Sequence, residues 1–274
     1  MKGNYKTDTA GIIDYKNKAY GFAYLHENET VKLGEASGWY AGAIKNKFDF
    51  NDIGGSKEEQ SIVKAGAFKS MPIGKDYNNG LNWTISAEGF MGNGETKRKF
   101  LVVDDIFDAK SDFHSFGFAV KNEIRKNIRT SERTSISPYG SLKLEYGRFN
   151  GIKEDNGQMR LEVKANDYYS VKPEIGVEFK YKKALGTRTT LIAKVGAAYE
   201  NELGQVGNVN NKARVRYTSA DYFNIKGEKD DRIGNGKLDF NFGIENTRLG
   251  ITVNAGYDTK GKNARGGIGL KAIY

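Results

Sequence analysis

The segment LGITVNAGYDTKGKNARGGIGLKAIY, residues 249–274, carries two kinds of side chain in alternation. Leu249, Ile251, Val253, Ala255 and Tyr257 are apolar, while Arg248, Gly250, Thr252, Asn254 and Gly256 are polar or bare. A pleated strand sends such sets to opposite faces. After a polar join at 259–262, Ile268, Leu270, Ala272 and Tyr274 oppose Arg265, Gly267, Gly269 and Lys271. The segment reads as a hairpin of two strands, each with one oily face.

The same period continues upstream. Leu238, Phe240, Phe242 and Ile244 oppose Lys237, Asp239, Asn241, Gly243 and Glu245. Leu191, Ala193, Val195, Ala197 and Tyr199 oppose Lys194, Gly196 and Glu200, and Val171, Ile175, Val177, Phe179 and Tyr181 oppose Lys172, Glu174, Glu178 and Lys180. Leu142, Leu144 and Tyr146 oppose Ser141, Lys143 and Glu145; Phe116, Phe118 and Val120 oppose Gly117, Lys121 and Glu123; Trp83, Ile85 and Ala87 oppose Thr84, Ser86 and Glu88. Toward the N-terminus strands are expected at about 61–72, 38–50, 18–28 and 7–15, with the facing of Trp39 to Phe50 undecided. The count is about twelve, an even number as bacterial single-chain barrels have. Short joins near 125–135, 182–188 and 245–248 alternate with long polar ones near 92–112, 148–168 and 201–235. Membrane barrels show this asymmetry, with short turns on one side and long loops on the other.

Composition narrows the class. The chain has 274 residues, 34 Gly, 16 Tyr, 15 Phe, 3 Pro and no Cys. Its mean hydropathy is -0.64, and no apolar run approaches the roughly 18 residues a membrane helix needs. A membrane barrel tolerates such a mean, because only every second side chain meets lipid. A soluble β-sandwich or lipocalin-like barrel is the competing reading. Against it stand the repeated Lys and Glu on one face and aromatic residues near strand ends, among them Tyr181, Tyr199, Tyr257 and Tyr274, where an interfacial girdle belongs. The fold expected is all-β: a transmembrane antiparallel up-and-down β-barrel of about twelve strands, in the bacterial outer membrane. The net charge of +9 is spread along the strands among acidic residues, and no basic helix or finger points to nucleic acid.

Four stretches resemble a known family: Ser137-Pro-Tyr-Gly-Ser-Leu-Lys-Leu-Glu-Tyr146, Lys172-Pro-Glu-Ile-Gly-Val-Glu-Phe179, Ala193-Lys-Val-Gly-Ala-Ala-Tyr-Glu-Asn-Glu-Leu-Gly204 and Gly266-Gly-Ile-Gly-Leu-Lys-Ala-Ile-Tyr274. They are similar to the autotransporter β-barrel, or translocator domain, of classical monomeric type V secretion. Tyr257-Asp-Thr-Lys-Gly261 and Tyr222-Phe-Asn-Ile-Lys-Gly-Glu228 resemble the barrels that end large Gram-negative adhesins. The resemblance implies an outer-membrane monomer that exports its own upstream passenger, an adhesin, with help from the outer-membrane assembly machinery. It also implies a linker helix in the pore. Residues 1–8, too few for that helix, are expected to be a truncated linker end, and 9–274 the barrel. A porin-like outer-membrane channel is the alternative.

Residues expected to face the lumen are Glu88, Lys121, Glu123, Lys143, Glu145, Lys172, Glu174, Glu178, Lys180, Lys194, Lys237, Asp239, Glu245 and Lys271. Charge on a bore wall keeps it hydrated, and some of these groups are expected to brace the barrel as mutual ion pairs. Bare inward positions at Gly117, Gly147, Gly176, Gly196, Gly243, Gly250, Gly256, Gly267 and Gly269 would relieve curvature and leave space. By resemblance, Ile268, Leu270, Ala272 and Tyr274 form a C-terminal assembly signal read by edge pairing. No catalysis, cofactor or metal is expected: there is no Cys, and His26 and His114 stand in no nucleophile context. Asp104-Asp105 and Asp230-Asp231 read as solvated loop pairs rather than calcium ligands. Basic residues near the loops would meet lipid and anionic lipopolysaccharide.

Overall fold

The structure is a computed structural model that describes residues 1–5, 13–29, 35–74, 80–102, 104–155, 157, 159–204, 210–226, 234–260 and 262–272. Twelve strands make the wall: β1 (Lys2–Tyr5), β2 (Tyr15–Glu29), β3 (Ala36–Phe50), β4 (Lys57–Pro72), β5 (Leu81–Val102), β6 (Asp105–Lys126), β7 (Thr134–Phe149), β8 (Asn166–Ala184), β9 (Thr189–Asn201), β10 (Gly234–Asn246), β11 (Leu249–Asp258) and β12 (Asn263–Ala272). Each pairs antiparallel with its neighbour in the chain, and β12 meets β1 to close an up-and-down barrel. Closure matters because a sheet edge in hydrocarbon leaves backbone groups without partners.

Where the apolar residues sit decides which face meets what. Among the described residues only Ala109, Phe113, Ala119 and Ala213 are buried apolar residues, too few to be the core of a soluble domain. Large apolar side chains instead stand outward, including Phe22, Val63, Phe118, Ile175, Phe240, Ile251 and Ile268. A soluble monomer does not expose such a continuous coat, since each of these side chains gains about 1.5–3 kcal/mol on leaving water. The lipocalin-like arrangement therefore fails: its oily face would point inward.

Several expected boundaries move. The polar stretch 92–112 is not a loop, because β5 and β6 run as 22-residue partners up to the pair Val102–Asp105, with Asp104 and Asp105 exposed at the tip. Above the membrane a strand no longer needs an oily face, so its charge mimics a loop. The two remaining long joins contribute a second, four-stranded antiparallel sheet, from Ile152–Lys153, Leu161–Val163, Asn210–Val215 and Phe223–Lys226. Residues 2–5, expected as a linker end, are wall: Lys2 pairs with Lys18 of β2 and Ala264 of β12. Most of the strand expected at 7–15 lies outside the described residues. The undecided facing of β3 also resolves, for Tyr40 bonds inward to Glu88 while Trp39 stands outward beside Tyr24 and His26.

The short joins and the end of β12 share one rim, called lower here; the long joins, the second sheet and the β5–β6 hairpin share the upper rim. One upper join is tight, and its Gly55 adopts φ +67°, where a β-carbon would be strained. Asp52 holds that turn by accepting from the Ser56 amide at 2.7 Å.

Phe240 lies on the outer face and Asn254 on the inner one, so the two report on opposite environments. Phe240→Arg is expected to lower the unfolding free energy in lipid vesicles by about 2–4 kcal/mol, with Asn254→Arg costing well under half of that. Urea titrations of the folded band measure both, and equal costs would contradict the assignment of faces.

Candidate functional site: the charged wall of the bore

Cross-strand register sets up an electrostatic problem in the middle of the wall. Lys121, Lys143 and Lys172 are direct neighbours across β6, β7 and β8. Three ammonium groups side by side on one face repel. The structure resolves this with carboxylates one step above and below. Lys143 lies 3.2 Å from Glu88 and 3.0 Å from Glu145; Lys172 lies 3.6 Å from Glu145 and 3.8 Å from Glu202; Lys121 lies 3.1 Å from Glu123 and 3.8 Å from Glu174.

The network then spreads across strands that are not neighbours, which only a shared concave face permits. Lys237 of β10 reaches over β9 to Glu174 of β8 at 2.7 Å, and also binds Glu200 at 2.6 Å. Glu88 of β5 accepts a hydrogen bond from the Tyr40 hydroxyl of β3 at 2.8 Å and lies 3.5 Å from Lys64 of β4. Arg125 links Glu123 at 3.0 Å to Glu178 at 3.6 Å, and Lys194 joins Glu178 at 3.9 Å. Further around, Lys271 meets Glu245 at 3.6 Å and Arg265 meets Asp239 at 2.7 Å. A cavity of about 290 Å³ opens among Tyr40, Glu88, Lys121, Lys143, Lys172, Glu174 and Lys237. These groups are partly exposed to the bore, so they are hydrated ion pairs, and cations and carboxylates alternate among them.

Of the fourteen residues expected to face the lumen, Lys180 alone has no ion pair described; it faces Lys194 across the β8–β9 ladder. Sequence reading missed Tyr40, Lys64, Arg125 and Glu202 as members, while Glu200 and Arg265, read there on the polar faces of their strands, also join the network. Lys64 was legible, since Val63, Ala65 and Ala67 alternate with it; Tyr40 was not, because an aromatic in β3 suits either face. Interior glycines serve this packing. A β-carbon on Gly176 would stand 2.5 Å from the Tyr139 ring, and one on Gly66 would stand 2.6 Å from the Tyr40 ring. Bare positions on neighbouring strands are what let these inward rings lie flat to the wall. At the end of β12, Ile268, Leu270 and Ala272 are exposed on the outer face, and Tyr274 lies outside the described residues. Asp230 and Asp231 also lie outside them.

Above the bore, the second sheet is fastened to the hairpin tip. Arg98 of β5 makes a two-point contact with Glu154, 2.8 Å at each oxygen, and Glu154 also accepts from the Leu161 amide at 2.6 Å. The Glu154 side chain is only 6% exposed. Arg216 donates to the Glu154 carbonyl. In the same sheet Arg214 donates to Glu162 at 2.8 Å, and that hydrogen bond holds the Glu162 carboxyl below its ordinary range. Its contribution is present at neutral pH and lost as pH falls through the lowered value.

The sequence profile described as "Autotransporter beta-domain" matches residues 1–256. No curated protein matches the chain in sequence. Among solved structures, the translocator domain of the autotransporter NalP from Neisseria meningitidis is similar at a TM-score of 0.73 and 11% identity, covering 100% of this chain and 85% of that one. The β-domain of the Bordetella autotransporter BrkA is similar at a TM-score of 0.59 and 13% identity, covering 98% and 92%. At these identities the likeness is one of fold.

Glu174→Gln and Lys237→Met, combined in a double-mutant cycle, are expected to show a coupling of about 0.5–3 kcal/mol. The coupling should shrink as salt is added, because the bore is wet; a value indistinguishable from zero at low salt would dissolve the proposed bracing. Arg98→Ala leaves the Glu154 carboxylate with the Leu161 amide but no opposite charge, a cost of up to about 3–5 kcal/mol for a buried pair. Amide exchange across 152–163 should accelerate strongly while the barrel strands stay protected, and unchanged exchange there would show that the fastening lies elsewhere.

Proposed function

Because the chain belongs to the autotransporter β-domain family, and so anchors in the Gram-negative outer membrane and mediates export of a passenger joined upstream, we propose how its parts divide that work. The bore is the hydrated passage. Its wall is lined by ion pairs already satisfied within the barrel, so a polypeptide in transit finds water and weak contacts of both signs rather than an oily surface that would retain it. This single feature, a wet wall inside an apolar coat, carries the reading.

Three finer assignments accompany it. The passenger is an adhesin, supported by the likeness of Tyr222–Glu228 and Tyr257–Gly261 to barrels of large adhesins. The outer face of β12, with Ile268, Leu270 and Ala272, followed in the sequence by Tyr274, is the signal that the outer-membrane assembly machinery pairs with by edge addition. Lipopolysaccharide is the lipid partner at the upper rim, where Lys18 faces Lys47 and Lys45 faces Tyr20 across β2 and β3, directly above the apolar Phe22, Tyr24 and Ala43. Lys45 and Lys47 share Glu59 at 2.9 and 3.0 Å, a geometry that a lipid phosphate can join. The module acts as a monomer, without cofactor, metal or nucleic acid, and without turnover. His26 packs on Trp39 at 5.9 Å outside the wall, and His114 bonds Asn93 at 2.8 Å, so each has a packing partner in place of a nucleophile.

Leu270→Lys is expected to cut the amount of folded barrel in the outer membrane several-fold, and surface passenger in proportion. His26→Ala and His114→Ala should leave both unchanged. Protease shaving of intact cells and the heat-shifted gel band read the two quantities. A steady open conductance with the upstream segment restored, and no dependence of surface passenger on the barrel, would favour a porin instead.

A further inference from the structure

The inner face changes character above the charged belt, in the sector from β4 to β8. The inward positions there are Gln60 of β4, Phe90 of β5, Phe113 of β6, Phe149 of β7 and Tyr168 of β8. Two bare positions let the rings lie against the wall: a β-carbon on Gly94 would strike the Phe113 ring, and one on Gly117 would stand 2.6 Å from the Phe90 ring. Phe113 and Phe149 pack with their centroids 5.3 Å apart. The second sheet supplies Ile152, Val163 and Asn211 to the same space, and the Asn211 side chain accepts from the Asn166 amide at 2.7 Å. The result is a chamber of about 510 Å³ at one side of the upper mouth. Its size and apolar lining fit a small-molecule site, for which roughly 300–1,000 Å³ is usual. Three charged residues border it, and two of them answer each other, Arg148 lying 3.3 Å from Asp167. The third, Glu58, stands one inward step above Gln60, opposite Thr96. It accepts from the Gln60 amide at 2.5 Å and from the Thr96 hydroxyl at 3.4 Å, and no ion pair reaches it among the described residues. Flanked on the outer face by Lys57 and Glu59, it lies above the apolar coat, and burial holds its carboxyl above the ordinary range. A carboxylate withdrawn from water without a cation is costly, and a cation brought beside it relieves that cost.

We propose that this chamber binds a small organic cation, an ammonium group on an apolar or aromatic body, with its charge toward Glu58 and its body among Phe90, Phe113, Phe149 and Tyr168. Each part of the lining selects for that chemistry. Aromatic faces carry negative potential and attract an ammonium that has shed its water. Ile152 and Val163 take up apolar surface from the side of the second sheet. An anion would meet Glu58, and a neutral apolar molecule would leave it uncompensated. A hydrated metal ion needs a cage of oxygens, which rings and aliphatic side chains do not provide. Because wall and second sheet both contribute, a bound cation also ties that sheet to the barrel. The inference does not depend on the export reading, since a barrel that exported nothing would keep the chamber.

The test uses the full-length protein in vesicles of neutral lipid and equilibrium dialysis with radiolabelled phenyltrimethylammonium, whose charge is permanent. Dimethylphenylcarbinol, close in shape but uncharged, and benzoate, an anion, serve as competitors. The wild type is expected to bind the ammonium probe saturably at one site per barrel, and both competitors to act at least about tenfold more weakly. Glu58→Gln should weaken the probe about tenfold or more, because it removes the charged partner. Phe149→Leu should weaken it several-fold, and Phe149→Trp, which keeps an aromatic face, should not. Val163→Trp fills the chamber from the second sheet without touching a barrel strand and should abolish binding. The heat-shifted gel band shows which variants are folded. Absence of saturable binding to the wild type would overturn the proposal, as would carbinol competing as well as the unlabelled cation. Full binding by a folded Glu58→Gln barrel, or by Val163→Trp, would overturn it too.

Discussion

In hydrocarbon every backbone amide and carbonyl must find its partner within the protein, and this constraint orders the rest of the structure. It accounts for a single antiparallel sheet rolled onto itself, for consecutive strands pairing in chain order, and for the absence of an ordinary core among the described residues. Strand alternation then divides the work between two solvents. Phe240, Ile251 and Val253 face one of them, and Lys237, Thr252 and Asn254 the other.

The inner wall obeys a different rule. Water in the bore lowers the cost of charge there, so the lysine row Lys121, Lys143 and Lys172 can exist, but repulsion still has to be offset locally. Glu145 does so within β7 and to its neighbour β8, and Glu88 and Glu174 do so by bridging strands that the ladder does not join directly. The ion pairs therefore act as cross-braces, tying β5 to β7, β6 to β8 and β8 to β10 over the strand between. A wall whose charges are satisfied in this way is rigid and also indifferent to what passes, and both properties suit a passage for polypeptide.

The upper rim shows that charge density alone does not define a loop. Once strands leave the membrane their outward face carries Glu95, Lys97 and Lys99 without penalty, and the β5–β6 hairpin continues as sheet. The joins after β7 and β9 fold onto that hairpin through Glu154, whose near-complete burial is tolerable because Arg98 and the Leu161 amide both address it.

Much of this was legible in the residues. Period-two alternation fixed the fold class, the strand count and the division into oily and ionic faces from β5 to β12, because one side chain in two must meet lipid whatever the neighbours are. Similarity of short stretches pointed to the family. The sequence could not decide the facing of β3, where Tyr40 and Trp39 are equally suited to either side, nor that 92–112 is strand, since polar strand and polar loop share a composition outside the membrane. It placed the start of the barrel too late, for Lys2–Tyr5 looks like any polar tail until β2 and β12 are beside it. Which carboxylate answers which lysine depends on register between strands far apart in the chain, and only the closed tertiary sheet sets that register.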